Sequence, residues 1–164
     1  MTENNNSSQR ERAIAAEIEH RRLVRETLGE WWERLGQIAA TWDLETVKHL
    51  VVLNAAGFAG VATLLAGNKP LQPLWVGAAA LLGYGFGVVL AILNMHLGAN
   101  AFERMSTEVG DRIKKTWNLE ESTKGFYDAP KKGRILSVAG QICGWSSALL
   151  AVASTIAVGV SLAR

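Results

Sequence analysis

LLGYGFGVVLAILNMHLGAN, residues 81–100, sets three glycines at alternate positions (Gly83, Gly85, Gly87) in an apolar run that then acquires Asn94, His96 and Asn100. How this run is read decides the fold. It belongs to a charge-free stretch, 74–102, and two stretches of the same kind flank it at 49–67 and 135–163 apart from their ends. Each reaches the roughly 20 residues that carry a helix across a hydrocarbon core of about 30 Å. The 20% of residues that are charged fall in 1–48 and 103–134, with Lys69 and Arg164 as the exceptions. Core helices of water-soluble domains rarely run so long without charge. The expectation is an all-α integral membrane protein with three transmembrane helices and a cytoplasmic helical stalk.

Orientation follows from lysine and arginine. Arg10, Arg12, Arg21, Arg22, Arg25, Arg34 and Lys48 precede the first span, and Arg104, Arg112, Lys114, Lys115, Lys124, Lys131, Lys132 and Arg134 lie between the second and third. The hairpin GNKPLQP and the C-terminal tail hold one each. By the positive-inside rule the N-terminus and the long loop are cytoplasmic, and the hairpin and C-terminus face out. The opening MTENNNSSQRERAIAAEIEHRR has no short apolar region with a cleavage site and does not read as a signal peptide.

The stalk is legible as a stripe. Val24, Leu28, Trp31, Leu35, Ile38 and Trp42 recur at alternating spacings of four and three, a heptad pattern that weakens upstream at Arg21 and Glu17. Between Val24 and Glu45 there are two arginines and five acids. That balance suits packing on another helix better than an anionic lipid surface. A partner lies in the same chain: Phe102, Met105, Val109, Ile113 and Trp117 extend the second span as an amphipathic helix, basic around Arg112–Lys115 and opposite in sign to the first. Gly36 and Asp43 are the expected points of bending, with Asp43 or Thr46 capping a new helix into the membrane. The division expected is 1–9 as a disordered polar tail, 10–47 as an amphipathic, coiled-coil helix, 48–102 as a transmembrane hairpin, 103–133 as helix extension and loop, and 134–164 as the third transmembrane helix.

The glycines read as helix contacts. The string GYG also occurs in the potassium-channel filter, but the Thr-Val that precedes it there is replaced by Leu81 and Leu82, and one continuous apolar run leaves no pore helix. Gly83 and Gly87 instead form a GxxxG pair with Gly77 near the same face, Gly140 and Gly144 repeat it in the third span, and Gly57 and Gly60 lie in the first. Small residues let backbones approach where lipid supplies no hydrophobic drive for association. Asn54, Asn94 and Gln141 all fall about 9–14 Å below the cytoplasmic boundary at 1.5 Å per residue. Their common depth predicts a hydrogen-bonded amide layer, or with His96 and Asn100 a polar vestibule open to the cytoplasm.

Little chemistry can be assembled. No Asp or Glu lies inside a span, no nucleophile has a base beside it, and the one cysteine, Cys143, cannot form a disulfide within the chain. His49 and His96 are poorly matched in depth for a haem, and the three histidines have no metal-ligand spacing. A net charge of +2 gives no reason to invoke nucleic acid. The expectation is therefore no enzyme, no cofactor and no metal.

The approach to the first span, KHLVVLNAAGFAGVATLLAG, resembles a pattern in small uncharacterised bacterial three-span inner-membrane proteins. The resemblance implies a bacterial inner-membrane setting and carries no activity. The functional expectation is a non-enzymatic homo-oligomer or complex subunit, held in the lipid bilayer, whose cytoplasmic helices mediate assembly or partner binding. A pore-forming or membrane-disrupting effector gated by those helices is the alternative, and an anchor subunit of a respiratory or transport complex the second.

Overall fold

The computed structural model describes the backbone of residues 2–67 and 73–163, and the side chains among them other than those of 2–7 and 38–43. Three helices make up the fold: α1 (Thr2–Ala66), α2 (Leu74–Lys115) and α3 (Arg134–Leu162), with no strand among the described residues. Segments of all three are long and apolar enough to cross a membrane, Leu44–Ala66 in α1 and the whole of α2 and α3 by length and composition. The 42 residues of α2 extend about 63 Å at 1.5 Å per residue, twice what the hydrocarbon core needs. Its charged end, from Glu103 on, therefore stands outside the bilayer. Helix α2 lies between the other two and packs against both, and α1 and α3 touch each other least.

Residue distribution across the bundle is the reverse of a water-soluble core. Large apolar side chains point outward, with Phe86 62% and Leu149 66% exposed, and Val52, Leu53, Leu82, Val89, Ile142 and Ile156 placed likewise. The interior is mostly small or polar: Ala80, Ala91, Ala151, Gly87, Gly140, Asn54, Ser147 and Ser154 are buried, with Val61, Val76 and Tyr84 as larger side chains among them. Lipid solvates the outer coat as well as a protein interior would, so burying it yields nothing. Helix contact must come from close backbone approach and hydrogen bonds, and small residues provide both.

Outside the bilayer, α1 and the end of α2 run together and the loop 116–133 folds over them. Val24 and Leu28 are fully buried against Phe126 of the loop, with Trp31 and Ile113 packed around them. Closer to the membrane, the Trp32 indole N–H donates to Ser106 Oγ at 2.5 Å and Gly36 faces the Phe102 ring. Arg21 is 4% exposed although its guanidinium is charged. It is satisfied by donating to the backbone carbonyls of Asn118 (2.5 Å), Leu119 (3.1 Å) and Glu121 (2.7 Å) and to the Glu17 carboxylate (2.6 Å). Arg25 lies 4.1 Å over the Trp117 ring, a cation–π contact that fixes the start of the loop.

The other end of the loop is held by α2. Arg112 donates to the carbonyls of Phe126 and Asp128 and pairs with Glu108 at 2.5 Å. Glu108 accepts the backbone N–H groups of Lys131 (2.9 Å) and Lys132 (2.7 Å). Partial burial opposes ionisation of the Glu108 carboxyl, but the Lys132 amide, Arg112 and the Lys131 amide outweigh it and hold the group below the ordinary carboxylate range. Gly133 then starts α3 with φ +86°, and a Cβ there would strike the Ala101 backbone of α2. Only glycine meets both conditions.

Several expectations change. Residues 2–9, expected as a disordered tail, form the first turns of α1, and α1 passes Gly36, Asp43 and Thr46 without the separate capped helix the sequence suggested. Charge complementarity between α1 and Arg112–Lys115 is not what joins them. The ion pairs among the described residues stay within a helix or tie α2 to the loop. Trp117 has left the helix, which ends at Lys115 with Thr116 as its cap, and is exposed beneath Arg25. Trp31 and Leu35 are half-buried, while the side chains of Ile38 and Trp42 lie outside the described residues.

Arg21→Met removes the charge-assisted bonds to three loop carbonyls and is expected to weaken loop closure by about 2 kcal/mol. Hydrogen exchange should then show protection at the Glu121 and Phe126 amides falling about thirtyfold. The exposed neighbour Arg22→Met should leave that protection unchanged.

Candidate functional site

Polar side chains within the bundle gather at three places, two closed and one open. The first closed one joins all three helices. Asn54 of α1 is fully buried, and its Nδ2 donates to Leu50 O at 2.8 Å and to Ser147 Oγ of α3 at 3.1 Å. Ser147 in turn donates its hydroxyl to Gly87 O of α2 at 2.7 Å. Asn54 Oδ1 has no hydrogen-bond partner. It lies where a Cβ on Gly87 would stand, so what faces it is the Gly87 Cα–H, a weak donor. Bare backbone at Gly87 is thus a requirement of the junction.

Toward the far side of the membrane the same device recurs. The Tyr84 ring lies against Gly57, and its hydroxyl is 2.7 Å from Thr155 Oγ1. Thr155 already donates to Ala151 O at 2.8 Å, so Tyr84 is the donor. The tyrosine of the GYG string is therefore an internal strut between α1 and α3, and its two glycines sit on opposite sides. Gly83 faces Ser154, while Gly85 faces the edge of Phe58 near the lipid surface.

Of the glycines expected at helix contacts, Gly57, Gly77, Gly83 and Gly87 meet side chains of a neighbouring helix at positions a Cβ would occupy, Gly77 against Leu65. Gly140 and Gly144 form a saddle in which the Asn94 side chain rests. Gly60 is different, with nothing within 4 Å of its Cβ position, and it makes no helix contact.

The amide layer does not form as expected. Asn54 turns to Ser147, leaving Asn94 and Gln141 without it. These two line a groove of about 430 Å³ that opens sideways between α1 and α3, with Thr46, Leu50, Gly144, Trp145 and Ala148. Neither amide has a hydrogen-bond partner among the described residues, and Gln141 is exposed. His96 and Asn100 are not part of a vestibule: His96 is exposed, and the Asn100 amide donates back to His96 O at 2.8 Å.

Ser147, Tyr84 with Thr155, and Arg21 were not assigned as site residues from sequence. A signal for Ser147 existed, because Gly140, Gly144, Ser147, Ala151 and Ser154 keep one helical face small. Among the described residues no group of His, Cys, Asp and Glu is arranged to hold a metal. No family model matches the chain, and comparison with curated proteins and with solved structures gives no match.

A methyl group at Gly87 would enter the space of the Asn54 amide, whereas one at Gly60 meets open space. Gly87→Ala is therefore expected to destabilise the bundle by about 1–3 kcal/mol through overpacking. Gly60→Ala should be neutral or slightly stabilising, since Ala is the better helix former. Unfolding in detergent micelles, comparing the two variants, checks the difference.

Proposed function

We propose that this chain is a non-enzymatic membrane protein that assembles with copies of itself, in a bacterial inner membrane, with its N-terminus and long loop in the cytoplasm. The lysine and arginine asymmetry supports the orientation, and the resemblance around residues 48–67 supports the setting. The observation that carries assembly is the open groove with its two amides. Gln141 lies seven residues inside the charge boundary at Arg134 and Asn94 nine inside that at Glu103, about 10–14 Å deep. An unpaired amide at that depth is costly in hydrocarbon, and a second helix is the usual remedy.

A copy of the same chain suits this groove because an amide both donates and accepts. Gln141 can pair with its own equivalent across a twofold axis, and Trp145, 75% exposed one turn further on, supplies contact area. The cytoplasmic stripe is largely consumed within the chain. Its free portion is the start of α1, where Ile14 is exposed on the continuation of the Arg21–Leu28 face and Ile18 is exposed to one side of it. That stretch is the part of the cytoplasmic layer open to a partner protein.

A pore remains the alternative function, and it has less support. The described polar side chains buried in the bundle, Asn54, Ser147 and Ser154, bond to or pack against neighbouring helices and do not line a channel. Conduction would need a path between copies. The anchor-subunit alternative gains nothing from His49 and His96, both exposed.

Native mass spectrometry of the detergent-solubilised chain tests self-assembly. Dimers or larger species are expected for the wild type, with Gln141→Leu shifting the population to monomer by tenfold or more while the helix content by circular dichroism stays within error. A monomeric wild type, or an unchanged distribution in the variant, would overturn the proposal.

A further inference from the structure

Six cations meet at one hollow of the extramembrane layer. Its walls are the last two turns of α2 and the returning loop, and it is open to solvent with a volume of about 580 Å³. Arg112, Lys114, Lys115, Lys124, Lys131 and Lys132 line it against two carboxylates, Glu108 and Asp111. Glu108 is already engaged by Arg112 and by the Lys131 and Lys132 amides. Asp111 reaches only the Lys132 ammonium, at 3.7 Å, and Lys115 stands at 4.0 Å from Glu121. Lys114, Lys124 and Lys131 have no carboxylate within ion-pair distance among the described residues.

Membrane orientation depends on how many lysines and arginines flank the spans and not on their convergence. Here the chain spends an internal clamp, Glu108 with Arg112, to bring Lys124, Lys131 and Lys132 from the loop beside Lys114 and Lys115 of α2. Like charges held together repel unless an anion sits among them. The hollow also has a defined height. Lys132 lies two residues before α3 begins, at the bilayer surface, and the rim at Lys115 is about 10 Å further out along α2 from Glu108.

We propose that this hollow binds a phosphate-bearing anion, with Lys114, Lys124 and Lys131 as the principal contacts. The phosphate is carried either by the headgroup of an anionic phospholipid at the bilayer surface or by a soluble phosphorylated molecule. Flexible ammonium groups suit such a group as point charges, and the lower rim is at headgroup level. The site is independent of the groove at Gln141 and of self-assembly.

Native mass spectrometry on the full chain in a neutral detergent provides the test, with phosphatidylglycerol, phosphatidylcholine and inorganic pyrophosphate as probes. The double variant Lys124→Gln, Lys131→Gln changes exposed side chains and leaves the Lys131 backbone N–H on Glu108. Arg10→Gln, Arg12→Gln removes the same charge at exposed positions far along α1 and serves as control. Retention of phosphatidylglycerol over phosphatidylcholine, reduced about tenfold by the lysine pair and not by the arginine pair, supports the headgroup source. Pyrophosphate binding with the same dependence, and no lipid selectivity, supports the soluble source. Binding of neither probe, or equal loss in both double variants, would overturn the site.

Discussion

A hydrogen bond between Asn54 and Ser147, with Gly87 beneath it, is the contact on which the three-helix arrangement depends. In a bilayer the apolar coat of each helix is as well solvated by lipid as by its neighbours, so nothing general draws the helices together. What remains is the specific pairing of polar groups that lipid cannot satisfy. Asn54 supplies α1, the Ser147 hydroxyl supplies α3, and the Gly87 carbonyl supplies α2. The Gly87 requirement follows, because any side chain there would displace the Asn54 amide and open the junction.

Rotation of the helices, set at that junction, is carried out of the membrane because α1 and α2 cross its surface without interruption. Gly36 meets Phe102 and Trp32 meets Ser106 on the same two helices that meet at Asn54 and Gly87. The face of α1 that reaches Leu28 and Val24 is then fixed, and Phe126 closes over it. Loop ends are secured independently, by Arg21 from α1 and by Glu108 with Arg112 from α2. The extramembrane layer is accordingly a closed unit within one chain, which is why its remaining contacts are confined to the overhang of α1 and the lysine-lined hollow.

Much of this was visible in the residues, for identifiable reasons. Hydrocarbon penalises every charge, so the three spans announce themselves by its absence over 49–67, 74–102 and 135–163 except at Lys69's hairpin between them. The stripe through Val24 and Leu28 was equally plain, and the bundle buries it. The partner of Asn54 was not, because depth along an axis says nothing about direction around it. Asn94 and Gln141 share its depth but face a lateral groove, whereas Ser147 lies deeper and on the correct side. Gly60 misled for a related reason: three residues from Gly57 is about 60° around the helix, enough to miss Tyr84 altogether. Arg21 looked like a break in an apolar stripe. Its guanidinium instead continues the buried face by capping loop carbonyls that sequence cannot place.

A double-mutant cycle on Asn54→Ala and Ser147→Ala, read by reversible unfolding in detergent micelles, measures this coupling directly. Bonds that each residue makes elsewhere, Asn54 to Leu50 and Ser147 to Gly87, cancel to first order in the cycle. If the two side chains hold α1 and α3 together, the double variant loses less than the sum of the single losses, by about 0.6–1.7 kcal/mol. Losses that add to within about 0.3 kcal/mol would contradict it, and the bundle would have to be held by glycine packing alone.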